Sequence, residues 1–294
     1  MSKVVFRQLN KDYAYWTEKR RLGQERGGQV AGLLTHSREG QVQLNVLFDA
    51  GMGTLEAIAD FCEDDFWDQP LLIFITHGHV DHHGELMILS EIYCQRRGED
   101  IYDIRPPLHV YATKGTQQHL TRTHWWGYNG GDTLLQRPVR PGAPLQAGIF
   151  NITPLAVDHF DGAVIYVVEF ELERRHKIVV GWDMTGLPLA EEEIGCLHRP
   201  SLALFEATSW KDMAFEIGHT SVEGLVESGF LERVELCRAP EEEMYGAYLV
   251  HYSGWEDPEG MLSDEELKQK FDRTYPHLAP LVRMARRGQQ WSFT

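Results

Sequence analysis

The stretch Leu71-Leu-Ile-Phe-Ile75-Thr76-His77-Gly78-His79-Val80-Asp81-His82-His83-Gly84 decides how the rest of the chain is read. Leu71 to Ile75 is an unbroken apolar run of the kind a fully buried strand shows. It ends in a polar turn that places His77, His79, Asp81 and His82 within six positions. Imidazole and carboxylate are ligands suited to zinc and similar divalent ions. A strand that enters a tight loop aims alternate side chains at one point. His77 and His79 can therefore share one ion while Asp81 and His82 turn to a second. Gly78 is expected to let the backbone bend, and Gly84 to free the chain to start a helix.

Composition sets the frame around this loop. The chain has 294 residues and is 43% hydrophobic, enough for a large core in one domain, expected over residues 1–294. Its net charge of −16 argues against extended nucleic-acid binding, because most of the surface repels polyanions. A pocket holding two divalent cations could still capture a small anion. Cys62, Cys94, Cys196 and Cys237 have no paired spacing and read as reduced, mostly buried thiols. No apolar run approaches a membrane span. The expectation is a soluble, cytoplasmic protein with no membrane association, its partner a small-molecule anionic substrate, and with a homodimer left open.

Working outward, strands are expected at residues 3–9, 30–35, 42–48, 108–111, 150–157, 164–172, 177–182, 201–205 and 248–252. Helices are expected at 54–61, 85–95, 116–120, 191–197, 220–227 and 263–275. Thr220 with Glu223 and Ser263 with Glu266 have capping-box spacing. Lys19-Arg20-Arg21 reads as a solvated connection. Residues 123–144 carry Trp125 and Trp126 and three prolines, and read as an irregular aromatic insertion. Strands, a helix, then further strands and helices suit two sheets packed face to face with helices outside.

Two ions need further ligands. Val157-Asp158-His159 and Val179-Val-Gly-Trp182-Asp183 each end an apolar run on a metal-binding residue, and Gly218-His219 precedes a helix. The partition read from these is His77, His79 and His159 on one ion, Asp81, His82 and His219 on the other, and Asp183 bridging. Each ion keeps room for a shared water.

His77-x-His79-x-Asp81-His82, then His159, Asp183 and His219, resemble the metal motifs of the metallo-β-lactamase superfamily. The resemblance runs from Phe48-Asp-Ala-Gly51 to Leu249-Val-His251-Tyr-Ser253. It implies an α/β fold, the four-layer αββα sandwich, with two divalent metal ions at one edge, zinc first, with manganese or iron as alternatives. Phe205-Glu206-Ala-Thr208, Gly218-His219-Thr-Ser-Val-Glu223 and Val250-His251-Tyr-Ser253 resemble the ribonuclease Z-like phosphodiesterase branch. Phe205 stands where that branch has a catalytic histidine. There is no evident basic arm for tRNA, so tRNA processing is not expected.

The expected function is a dinuclear metal-dependent hydrolase acting on a small or nucleotide-like phosphodiester through an activated water. Asp81 would orient that water, Glu206 would orient a proton donor, and His251 would be a relocated general acid. Asp158 is a candidate partner for His159, and His83 reads as structural or solvent-facing. A lactone, thioester or β-lactam hydrolase of the same fold is the first alternative, and a non-catalytic binding or signalling module the second.

Overall fold

The computed structural model describes residues 1–12, 28–96, 108–123, 134–185, 187, 190–211, 219–236, 246–253 and 262–294. Lys19-Arg20-Arg21, His124, Trp125, Trp126, Gly218 and Cys237 lie outside them.

Fourteen strands among the described residues form two seven-stranded sheets. The first contains β1 (Ser2–Asn10), β2 (Ala31–Arg38), β3 (Gln41–Phe48), β4 (Leu71–Phe74), β5 (Leu108–Thr113) and β6 (Leu134–Val139). The second contains β7 (Leu145–Ala147), β8 (Phe150–Ala156), β9 (Val164–Glu171), β10 (Arg175–Gly181), β11 (Leu202–Glu206), β12 (Gly246–Val250) and β13 (Val282–Met284). A last strand, β14 (Gln290–Phe293), returns to the first sheet beside β1. Each sheet has an antiparallel half and a parallel half. β3 to β6 run parallel in one, and β10 to β13 in the other.

The period of two in a strand explains the layers. In β4, Leu72 and Phe74 face the gap between the sheets, where Phe6, Phe48, Phe150, Tyr166, Trp182 and Trp291 also pack. Leu71 and Ile73 face outward against Ile58, Leu86, Leu89 and Tyr93 of the covering helices Thr54–Phe61 and Leu86–Arg96. A strand covered on both faces reads as a continuous apolar run, which is why 71–75 has no alternation. The second sheet is built likewise. Ile178, Val180, Leu202 and Leu204 point inward, while Val179, Ala203 and Phe205 point to helices on the outer face. The result is the expected four-layer αββα sandwich.

Several local expectations need correction. Leu134–Val139, within the stretch expected to be irregular, pairs with β5 as a parallel edge strand. Pro138 is tolerated there because an edge strand need not donate on its outer side. The helix after His219 is Val222–Glu227, capped by the Ser221 hydroxyl accepting from Gly224 N, not by Thr220. The box at Ser263 and Glu266 is present as expected. β7, β13 and β14 had no counterpart in the sequence reading, being three or four residues long. Cys62 and Cys94 are half-buried and Cys196 is exposed, rather than buried. Neither Gly78 nor Gly84 has a positive φ. Gly78 is needed for close approach, since a Cβ there would sit 2.8 Å from the His119 ring.

Candidate metal centre

Parallel strands in both sheets end at one edge of the sandwich, and side chains just past those ends converge. Asp49 follows β3, His77 to His82 follow β4, Asp183 follows β10, Glu206 ends β11 and His251 follows β12. Asp49, Asp183 and His251 all have positive φ, at 59°, 52° and 66°. Non-glycine residues in this region cost of order 1–3 kcal/mol and persist where the surrounding structure fixes them. The strain turns each side chain back into the gap between the sheets. The β3 exit also abuts the histidine loop. Ala50 N donates to His82 O at 2.7 Å, and a Cβ on Gly51 would lie 1.9 Å from the Asp81 carbonyl oxygen.

Three overlapping groups of ligand atoms result, each within 4.8 Å: His77, His79, His159 and Asp183; Asp81, His82, Asp183 and His251; and Asp183, Glu206, His219 and His251. In the first, His77 Nε2, His79 Nδ1 and His159 Nε2 lie 3.0 to 3.2 Å from one another. Three mutually close ring nitrogens cannot all be satisfied by hydrogen bonds among themselves. The spacing is close to the roughly 3.3 Å edge of a tetrahedron with Zn–N of ~2.0–2.1 Å. Asp183 Oδ2 is 3.4 Å from His77 Nε2 and 3.7 Å from His159 Nε2. In the second group it is 2.7 Å from His82 Nε2, and Asp183 Oδ1 is 3.2 Å from His251 Nε2. Buried Asp183 Oδ1 makes no hydrogen bond, and the 2.7 Å approach of Asp183 Oδ2 to His82 Nε2 is an ion-pair contact without hydrogen-bond geometry. Buried polar atoms left so are rare and demand an explanation. Cations between these groups supply one, and the donor set of imidazole and carboxylate fits divalent ions of the zinc type.

The outer ring nitrogens are held so that the inner lone pairs face the centre. Asp49 Oδ2 accepts from His82 Nδ1 at 2.7 Å. Thr76 N and its hydroxyl both donate to the Asp49 carboxylate, at 2.8 and 2.7 Å. The Thr76 oxygen is 3.1 Å from His77 Nδ1. The Thr208 oxygen is 3.2 Å from His251 Nδ1, while its proton goes to Glu206 Oε1 at 2.6 Å. His251 N donates to Lys11 O at 2.6 Å.

The structure groups His251, expected as a general acid, with Asp81, His82 and Asp183, and it groups His219, expected with those residues, with Asp183, Glu206 and His251. The physical reason is register. β12 ends level with β11 in a parallel pair, so its first residue past Val250 reaches the bottom of the gap. His219 lies beside it but turns Nδ1 onto Glu206 Oε1 in a short hydrogen bond, and that nitrogen is 4.0 Å from Asp183 Oδ1. Glu206 is completely buried and also accepts from Met184 N. Phe205 points away from the site, packing edge-on to Phe230 at 5.1 Å. Asp158 is exposed, and His83 is buried with Nε2 3.1 Å from Gly78 O, a structural contact. Asp49, Thr76 and Thr208 had no role expected from sequence, although Asp49 and Thr208 lie in segments that carry the family resemblance.

With protein groups alone, the centre splits its histidines. Burial, then the neighbouring His159, lowers His79 to about 4, against the pull of Asp81 and Asp183. Burial and the His82 charge hold His77 well below its ordinary value. Burial opposes protonation of His82 and is outweighed by Asp183, Asp49 and Asp81, which raise it well above. Burial likewise opposes protonation of His219, but its hydrogen bond to Glu206 and the Glu206 charge push it up to about 9. Burial would raise Asp183, yet the His251, His82 and His77 charges hold it well below the carboxylate range. Asp49 is raised by burial, with His82 and Thr76 pulling the other way.

Residues 44–239 match the family model described as a beta-lactamase superfamily domain. Solved structures share the fold at low identity. A diphosphatase from the PhnP family superposes with a TM-score of 0.71 at 15% identity, over 100% of this chain and 98% of that one. Zn(2+)-bound PqqB from Methylobacterium extorquens gives 0.70 at 12%, over 98% and 99%. The short form of human tRNase Z gives 0.63 at 18%, over 98% and 98%. No curated protein matches the chain in sequence. Among the described residues no helix is long and apolar enough to cross a membrane. With the family match covering most of the sequence, and the αββα sandwich carrying its convergent histidines and aspartates at one edge, the chain belongs to the metallo-β-lactamase superfamily.

Proposed function

We propose that the chain is a dinuclear metal-dependent hydrolase acting on a small anionic phosphodiester. The observation that carries this reading is the pair of ligand nests that share Asp183. His77, His79 and His159 would hold one ion, Asp81, His82 and His251 the other, and Asp183 both. When bound, two such ions lower the pKa of water and neutralise charge developing on a phosphoryl group.

The protein residues supply the rest. Asp49, Thr76 and Thr208 fix the imidazoles before any ion arrives. Asp81 is the ligand carboxylate left partly open, with its side chain 17% exposed against 0% for Asp183, so substrate and water approach on its side. His219, hydrogen-bonded to Glu206 through Nδ1, would present its imidazole to a leaving oxygen. Glu206 favours the protonated imidazole, which suits a general acid. This assigns the proton donor to His219 and its orientation to Glu206.

The printed names of the fold relatives include a diphosphatase, a tRNase Z and a yeast PDE1, which supports a phosphoester over a carbonyl substrate. The test is a turnover panel of bis-p-nitrophenyl phosphate against lactone, thioester and β-lactam probes, run with metal analysis. Turnover of the phosphodiester with about two ions per chain is the expected result. Turnover of carbonyl substrates alone would overturn the phosphodiesterase reading.

A further inference from the structure

We infer that Thr113 is a positioning residue for the His77–His79–His159 nest, acting through a hydroxyl clamp on the hairpin that carries His159. The inference rests on the metal-centre reading above. His77 and His79 leave the first sheet after β4, whereas His159 arrives from the second sheet, between β8 and β9. Their nitrogens can meet at 3.0 to 3.2 Å only if the β8–β9 hairpin is held at a fixed height against the first sheet.

That hold is visible. Thr113 ends β5 and sits directly before the helix Lys114–Thr123. Its hydroxyl donates to Gly162 O at 2.6 Å, and its oxygen accepts from Thr116 N at 3.3 Å. The Thr116 oxygen is a further 3.3 Å from the same Gly162 carbonyl. Both threonines are buried, at 4% and 0%. The packing leaves no slack. A Cβ on Gly162, which has φ +79°, would sit 2.3 Å from Thr113 Oγ1, and one on Gly115 would sit 3.0 Å from Asp161 O. Farther along the hairpin, Val164 N donates to Thr76 O at 3.0 Å and Tyr166 OH to Ile75 O at 2.9 Å. Those two bonds fix the start of β9 against the chain entering His77. Thr113 fixes the turn itself, three residues from His159. One hydroxyl thus caps a helix and sets the distance between ligands from two sheets.

A hydroxyl that acts on the nest should affect one ion and not the other. The experiment is a chelator-competition titration of zinc on the full chain, with ion counts and the thermal midpoint of the metal-free protein. Thr113→Val, which keeps the shape and removes the hydroxyl, should weaken one ion by about 10- to 100-fold, the size seen when outer partners of metal ligands are lost. The other ion should keep its wild-type affinity, and Thr113→Ser should restore both. Thr113→Val added to His159→Ala should change zinc affinity little further, whereas added to His251→Ala it should weaken the remaining ion. Gly162→Ala, which pushes on the same contact from the other side, should reproduce the selective loss. If Thr113→Val lowers only the thermal midpoint, or weakens both ions equally, the residue is a helix cap alone and the inference falls. A wild-type chain that binds no ion overturns the metal-centre reading and this inference with it, whereas two tightly held ions in both wild type and Thr113→Val overturn only the inference.

Discussion

Asp49 Oδ2 accepts a hydrogen bond from His82 Nδ1 at 2.7 Å, joining the end of one parallel strand to the loop that leaves the next. Both side chains are completely buried. The contact leaves His82 Nε2 facing Asp183 and Asp81. Asp49→Asn keeps the volume and removes the charge that orients the ring. The expected outcome is an ion bound about 10- to 100-fold more weakly at the His82 side. Chelator competition reads this directly, and unchanged affinity would reduce Asp49 to a structural link to Thr76.

His219 and His251 stand side by side, their ring centroids 5.4 Å apart, yet their expected losses differ in kind. His219→Ala should keep two ions and lose about 10²- to 10⁴-fold in turnover, the scale of general acid catalysis. His251→Ala should lose an ion. Metal counts beside turnover separate the two, and an exchange of these patterns would return the ligand role to His219.

Removing metal should cost stability as well as activity. The folded chain brings His77, His79, His159, Asp81, His82, His251 and Asp183 together, so on the proposed reading it would bind ions that the unfolded chain binds less well. Readdition of zinc to about 100 times its Kd should add roughly 2.7 kcal/mol per site and raise the thermal midpoint. Calorimetry of stripped and reloaded protein checks it; equal midpoints would argue against an ion at this place.

Phe205→Ala provides a control away from the centre. Phe205 is fully buried on the helix-facing side of β11, so truncation leaves a cavity. The expected cost is about 3–5 kcal/mol in denaturant unfolding. Zinc stoichiometry and turnover per folded molecule should stay near wild type. A loss of ions on this substitution would mean that β11 transmits core packing to Glu206.

The residues from Leu71 to Gly84 could be read from sequence because their signals are local. An apolar run covered on both faces has no alternation, and a turn dense in imidazole and carboxylate has few uses other than binding a cation. The same logic, a strand that ends on a metal-binding residue type, pointed to His159 and Asp183, which the structure brings to the histidine loop. It did not rank His219, read as preceding a helix, against His251, read within a strand at 248–252, because chain order says nothing about which reaches the gap. Parallel pairing of β11 with β12 decided that, by setting Val250 level with Glu206. Alternation along β11 likewise sent Phe205 outward and Glu206 inward, which a motif comparison at Phe205 could not show. Asp49, Thr76, Thr208 and Thr113 carry side chains common in any protein, and their partners lie far off in sequence. Only the stacking of two sheets brings a threonine at the end of β5 onto the carbonyl of Gly162. The candidate ligand types were thus a property of short segments, while their grouping and orientation came from contacts between segments that the chain leaves far apart.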